Sequence, residues 1–187
     1  MKRLPFLATV LLTFAFAAHA QDTMKKEAAI KPADPESKVV LDSWNESGRK
    51  LIAMAEDFPE DKYDFKPTPA QRSFAGQLLH VAVSCYYFTN AATGQKLPAP
   101  EDPKREEYKS KADIVAFVKK AFADGATAIQ SKGDNGLMTE VVYYPQQKAR
   151  VIDIAYGIIE HSGEHYGQLV VYYRLAGLVP PESRPKT

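Results

Sequence analysis

Two histidines near the end of the sequence, His161 and His165, are four residues apart. On an α-helix this spacing places them one turn apart, about 40° around the axis and about 6 Å along it, so both imidazoles can direct a ring nitrogen at one point. A metal ion bound by both would explain the pair. Two core histidines hydrogen-bonded to carbonyls, tyrosines or water would explain it as well, and the spacing alone leaves both interpretations open.

The helix that carries this pair is predicted over residues 149–176, with Gly177 as its stop. Laid on a heptad repeat, one inward seam of this helix is apolar at both ends and polar in its middle. The seam consists of Val151, Ile154, Ile158, His161, His165, Gln168, Tyr172 and Leu175. Burying three polar side chains in succession without partners is costly, so the seam predicts a shared ligand or ion.

Glycines interrupt the same helix at Gly157, Gly163 and Gly167. Each glycine weakens a helix by about 1 kcal/mol relative to alanine. Their clustering therefore predicts that another backbone, or the contents of the site, approaches the helix closely there.

A third histidine, His80, lies in the middle of another predicted helix, which Ser73 begins and Gly94 ends. It sits at the border of that helix's apolar face, where it could reach across a bundle to the pair or stay partly exposed without a role. Three histidines without a thiolate suit a divalent ion such as zinc or nickel, with iron or copper as alternatives. Cys85 lies roughly 140° further around the helix, so we expect a small buried hydrophobic residue there and not a ligand.

Polar neighbours of the pair are candidates for supporting roles. Gln168 shares the seam, and Glu164 borders the pair. We therefore expect these two side chains to hydrogen-bond the histidines that bind the ion. Glu160 also borders the pair. Either acid could serve as a base, or both could simply be solvated, and the sequence identifies no catalytic residue.

The remaining apolar spacing predicts an all-α protein, a four-helix bundle with long connections. The first helix runs from a Ser37 cap to just before Pro59, and the third ends at Gly133. The run 140–144 suits an edge strand or a packed loop equally well.

The first twenty residues have the pattern of a secretory signal: Lys2 and Arg3, an apolar run, and Ala18-His19-Ala20 before a predicted cut. An uncleaved anchor is the alternative, but the run is shorter than the roughly 20 apolar residues that span a bilayer. We therefore expect an exported protein, periplasmic or extracellular, with no membrane association after cleavage. The predicted organisation is a signal peptide at 1–20, a flexible leader at 21–36, a helical domain at 37–181 and a tail at 182–187.

The balance of basic and acidic residues indicates which classes of binding partner are favoured. The 187 residues include 24 basic and 23 acidic ones, a formal net charge of +1. Removal of Lys2 and Arg3 with the signal leaves 22 basic residues against 23 acidic ones. Neither count favours nucleic acid or an anionic membrane as a partner. Removal of His19 leaves the three histidines discussed above.

Two segments of the sequence resemble the DinB-like superfamily. In the last predicted helix a histidine pair is followed by Gly-Gln-Leu, in the stretch Glu160-His161-Ser162-Gly163-Glu164-His165-Tyr166-Gly167-Gln168-Leu169. The stretch Leu78-Leu79-His80-Val81-Ala82 resembles the second-helix histidine of that superfamily, and the run 63–73 resembles the segment before it. The resemblance covers residues 40–181.

The resemblance implies a bundle with an up-down-down-up course and a divalent metal, zinc or nickel in many members, held by His80, His161 and His165. It also implies a range of activities. Some similar proteins are transferases or isomerases that use low-molecular-weight thiols, and related domains serve iron-dependent sulfur chemistry.

Three hypotheses follow. The first is an exported metal-dependent hydrolase or thiol transferase that acts on an unidentified small molecule. The second is a non-catalytic bundle that binds a metal or a small ligand. The third is a structural protein whose polar seam is satisfied internally. The glycines and tyrosines of the last helix would also permit a homodimer.

Overall fold

Four helices account for most of the computed structural model, which describes residues 35–95, 103–143 and 147–185. They are α1 (Glu36–Asp57), α2 (Phe74–Thr93), α3 (Lys111–Leu137) and α4 (Val151–Leu175). The predicted all-α four-helix bundle is confirmed. The predicted signal peptide, and the leader before residue 35, lie outside the described residues.

The course of the bundle follows from which residues meet. Helix α1 packs against α3 and α4, and α2 packs against the same two helices. Glu36 at the start of α1 meets Tyr156 near the start of α4, and Met54 near its end meets Tyr173, so α1 and α4 are parallel. On α2, Gln77 near the start meets Tyr172 near the end of α4, so these helices are antiparallel.

Helix α3 completes the course. Lys111 at its start donates to the carbonyl of Phe58 just beyond α1, and Asp134 near its end accepts from Ser37 at the start of α1. Helices α1 and α3 are therefore antiparallel, and the bundle runs up, down, down and up.

The centre of the α1–α3 interface is closely packed around a tryptophan. Trp44 is fully buried, and its indole N–H donates to the carbonyl oxygen of Phe122 over 2.9 Å. The face of α3 beneath the ring carries Gly125, where an added Cβ would stand 2.1 Å from a carbon of the indole. Any side chain at this position would collide with the ring, so glycine is required by the close approach of the two helices.

An aromatic cluster fixes the start of α2. The rings of Phe58 and Phe74 stack with centroids 3.8 Å apart, and Tyr63 and Tyr173 pack around them. The side chain of Ser73 accepts a hydrogen bond from the N–H of Gly76, as the predicted cap should. Together these contacts set the register of α2 and hence the height of His80 in the bundle.

A short antiparallel hairpin precedes α4. Strand β1 (Glu140–Tyr143) pairs with β2 (Gln147–Arg150), with Val141 opposite Ala149. The strand alternative for the 140–144 run is therefore confirmed over the four residues of β1. The second strand was not expected, and α4 begins at Val151, two residues later than predicted.

The predicted helix boundaries of α1 and α3 need correction. Ser37 is not a cap, because α1 begins at Glu36 and the backbone N–H of Ser37 donates to Asp134 instead. Gly133 interrupts α3 but does not end it. Its φ of 57° is outside helical geometry and available to glycine, and beyond this kink the chain is helical again up to Leu137.

The exposed face of α4 also differs from the prediction. At Gly157, Gly163 and Gly167 an added Cβ would meet nothing within 4 Å, so the expected close approach of another backbone is wrong among the described residues, while Gly157 lines a cleft described below. Two members of the predicted inward seam, Gln168 and Leu175, are exposed, because the helix turns them past the edge of the core.

The end of the described chain is fastened to α1. A short helical turn, Pro181–Ser183, brings Glu182 to the guanidinium of Arg49 at 2.7 Å. Arg184 then donates to Asp57 over 2.8 Å. The predicted tail thus includes side chains that contact the bundle. Across the three described stretches, no helix combines the length and the apolar character that crossing a bilayer requires.

Candidate metal centre

Three histidines from two helices meet between α2 and α4. His80 comes from α2, and His161 and His165 come from successive turns of α4. One ring nitrogen from each lies within 4.8 Å of the other two. The ring centroids of His161 and His165 are 4.4 Å apart. The centroid of the His80 ring lies 4.9 Å from that of His165 and 5.1 Å from that of His161. The predicted convergence of the three side chains is confirmed.

This arrangement could hold a metal ion. Zinc–imidazole bonds are about 2.0–2.1 Å long, so two nitrogens on one ion are at most about 4.2 Å apart. The separations are close to that limit, and modest side-chain rotations would close the difference. Cys85 does not join the group: it is fully buried, and burial holds the pKa of its thiol well above the ordinary range.

His165 is the enclosed member of the group, with only 4% of its surface exposed. Burial, followed by the proximity of His161 and His80, lowers the pKa of His165 to about 3. Its ring is therefore neutral at neutral pH, which is the form that binds metals.

A glutamine contacts His165 directly. Gln77 Oε1 lies 2.7 Å from His165 Nδ1, and Gln77 is itself buried. Sequence reasoning did not assign Gln77 a role. The available signal was a polar amide three residues before His80 in an otherwise apolar stretch. Gln168, predicted to support a ligand, accepts a hydrogen bond from Gln77 and lies one residue further from the histidines.

His161 is the open member of the group. Its Nε2 is 3.1 Å from the hydroxyl of Ser84, which also donates to the backbone carbonyl of His80. Glu164 Oε2 is 3.8 Å from His161 Nδ1, too long for a hydrogen bond, and its side chain is mostly exposed. Partial burial lowers the pKa of His161, although Glu164 and Glu160 oppose the effect.

A cleft of about 460 Å³ adjoins His161. The hairpin forms one wall through Tyr143 and Gln147, and α2 contributes Ser84 and Tyr87. A small molecule in this cleft would reach the histidine group from the His161 side. The enclosed side, by contrast, is filled by Gln77 and its partners.

Comparison with known proteins agrees with this architecture. A crystal structure of a DinB-like protein from Bacillus cereus ATCC 10987 is similar with a TM-score of 0.61 at 21% identity, over 76% of this chain and 93% of that one. The DinB-like protein YjoA from Bacillus subtilis gives 0.61 at 17% identity, over 79% and 99%. No curated protein is significantly similar in sequence.

The family match places the histidines in context. The sequence model of the DinB superfamily matches residues 43–169, a span that includes all three histidines and most of the four helices. With the bundle, the order of its helices and this match in agreement, the chain belongs to the DinB superfamily.

Proposed function

We propose that this protein binds one divalent metal ion through His80, His161 and His165 and uses it to act on a small molecule held in the adjoining cleft. The observation that carries the proposal is the convergence of three ring nitrogens within 4.8 Å from two separate helices. Three imidazoles that met without an ion would pack three polar side chains together at a cost.

The reaction class follows from the neutral ligands. Three imidazoles leave the charge of a divalent ion undiminished, and such an ion lowers the pKa of a bound water or thiol towards neutrality. Hydrolysis or thiol transfer is the corresponding chemistry. Zinc or nickel suits the all-nitrogen ligand set, and iron is an alternative.

The histidines and Ser84 would have different roles at the site. His165 is held rigidly on the enclosed side, while His161 borders the cleft through which a substrate would enter. The hydroxyl of Ser84 both touches His161 and lines the cleft, so it can hydrogen-bond a substrate beside the site.

A second candidate function is non-catalytic metal binding. It needs no base beside the ion, and Glu164 is mostly exposed and 3.8 Å from His161 Nδ1, too far to hydrogen-bond that histidine. Activity measurements with ester and thiol substrates, with and without added metal, separate the two candidates.

Metal analysis tests the proposal itself. Protein prepared without a polyhistidine tag, exposed to zinc or nickel and desalted, is expected to retain one ion per chain. The His161→Ala variant should retain none, whereas Cys85→Ala, a change at the buried thiol, should bind as the wild type does. Absence of any bound ion from the wild type would overturn both metal-dependent functions.

Export is a separate proposal, supported by the charged start, apolar run and small residues of positions 1–20. N-terminal sequencing of the mature protein is expected to begin at Gln21. A mature chain that keeps Met1 would contradict it.

A further inference from the structure

A chain of hydrogen bonds leads from a backbone carbonyl to His165. The hydroxyl of Tyr172 donates to the carbonyl oxygen of Arg72 over 2.6 Å. Gln77 Nε2 lies 3.2 Å from the same hydroxyl and 2.8 Å from Gln168 Oε1. Gln77 Oε1, at the other end of the amide, lies 2.7 Å from His165 Nδ1.

The direction of every bond in this chain is fixed by its first member. A backbone carbonyl can only accept, so the single hydroxyl proton of Tyr172 points at Arg72. Towards Gln77 the Tyr172 oxygen can then only accept, and the Gln77 atom facing it must be the NH₂ group. The amide oxygen of Gln77 therefore faces His165, which must donate from Nδ1.

A neutral imidazole that carries its proton on Nδ1 has its lone pair on Nε2. We propose that Gln77 is a positioning residue for the metal centre, which holds His165 in the Nδ1–H tautomer and so leaves Nε2 as its metal ligand. The orientation of the Gln77 amide is in turn set by Tyr172 and the Arg72 carbonyl. This inference rests on the proposed metal site, but the tautomer itself exists without the metal.

Burial makes the arrangement rigid. The exposed fractions of Gln77, His165 and Tyr172 are 3%, 4% and 1%. In such an enclosed position an unpaired donor costs the free energy of its lost hydrogen bond, so flipping the amide or the ring is disfavoured. His161 is less enclosed: 28% of its side chain is exposed, and its Nε2 contacts the Ser84 hydroxyl at the edge of the cleft.

The tautomer can be observed directly in the metal-free protein. Nitrogen-15 NMR of histidine-labelled protein at neutral pH is expected to show His165 protonated at Nδ1 and unprotonated at Nε2. In Gln77→Met, which keeps the length of the side chain but removes the acceptor, the population should shift towards the Nε2–H form. A wild-type His165 protonated at Nε2 would overturn the proposal.

Metal affinity gives the second readout, measured by zinc competition with a chromogenic chelator. Gln77→Met is expected to weaken zinc binding by about 10- to 100-fold, the usual effect of removing a partner of a ligating histidine. Gln77→Glu gives up the NH₂ group that faces Tyr172 and Gln168 but keeps an acceptor for Nδ1–H, so it should retain the tautomer and bind zinc more tightly than Gln77→Met does. Equal behaviour of Gln77→Glu and Gln77→Met would show that packing alone is responsible and would overturn the proposal.

Two adjacent tyrosines provide a matched control. Tyr172 and Tyr173 are both buried, and each donates to a backbone carbonyl, but the hydroxyl of Tyr173 bonds to Met54 and Asp57 and not to Gln77. Tyr172→Phe frees the amide to flip and should weaken zinc binding by about tenfold, the lower end of the same range. Tyr173→Phe should leave the affinity within about twofold of wild type.

The two proposals fail in different ways. A wild type that binds no zinc but shows the Nδ1–H tautomer contradicts the proposed function and leaves the hydrogen-bond argument supported. If the wild type and Gln77→Met bind zinc with equal affinity, the role of Gln77 is contradicted and the metal site remains supported.

Discussion

Two of the bundle's helix interfaces are unlike each other, α1 with α3 and α2 with α4. At the centre of the first, the indole of Trp44 lies against Gly125, where there is no room for a side chain. The second brings together polar side chains, and its histidines, glutamine and serine bond to one another. We therefore expect substitutions in the α1–α3 interface to change mainly the free energy of unfolding, and substitutions in the α2–α4 interface to change mainly metal binding.

The largest expected effect comes from adding a side chain at the centre of the α1–α3 interface. Gly125→Ala would put a Cβ 2.1 Å from the Trp44 ring, and we expect the free energy of unfolding to fall by about 3 kcal/mol in urea denaturation. Gly48→Ala, where the Cβ would stand 2.8 Å from the Phe122 ring, should cost less. If Gly125→Ala is as stable as the wild type, the α1–α3 interface is not the rigid part of the bundle.

Metal binding should act on the other interface alone. An ion at 100 times its dissociation constant raises the free energy of unfolding by about 2.7 kcal/mol. We expect this increment in the wild type and in Gly125→Ala, and its loss in His161→Ala, measured by urea denaturation with and without zinc. An increment that persists in His161→Ala would place the ion elsewhere.

A buried hydroxyl in α4 should prove dispensable. Ser162 is 1% exposed, and its Oγ finds no hydrogen-bond partner among the residues that the structure describes. Ser162→Ala removes the cost of that unsatisfied group, so the free energy of unfolding should rise by about 1 kcal/mol. A marked loss of stability on thermal unfolding would mean that the hydroxyl has a partner, such as a bound water.

The smallest effect is expected on the exposed face of α4. Gly163→Ala introduces a Cβ with no atom within 4 Å, so only helix propensity changes, and stability should rise by about 0.5–1 kcal/mol. The substitution is chemically the same as Gly125→Ala and opposite in sign. Destabilisation by Gly163→Ala would show that this face is covered in solution, for instance by a second copy of the chain.

The helices and the histidine group could be predicted because both depend on local spacing. Apolar periodicity marks the inward face of each helix, and the four-residue interval brings His161 and His165 to one side whatever the fold. The meeting with His80 needed more than periodicity, since it depends on which helices are neighbours, and the family resemblance supplied that expectation.

The role of Gln77 and the open space beside the α4 glycines could not be predicted, and one physical reason explains both. Periodicity shows which face of a helix is inward, but not which residue of another helix lies opposite. The bond from Gln77 to His165 depends on the antiparallel register of α2 and α4, which the aromatic cluster around Phe58 and Phe74 helps to set. For Gly163, the sequence showed the cost to the helix but not the open space beside it.

The division of the histidines between two helices sets an order of events. Helix α3 lies between them in the chain, so in an unfolded chain only the His161–His165 pair is close together. The three histidines come together only when α2 and α4 pack against each other, so an ion held by all three would be bound by the folded bundle. Once bound, an ion would act as a cross-link that closes a loop containing α3, and it would slow the opening of the bundle.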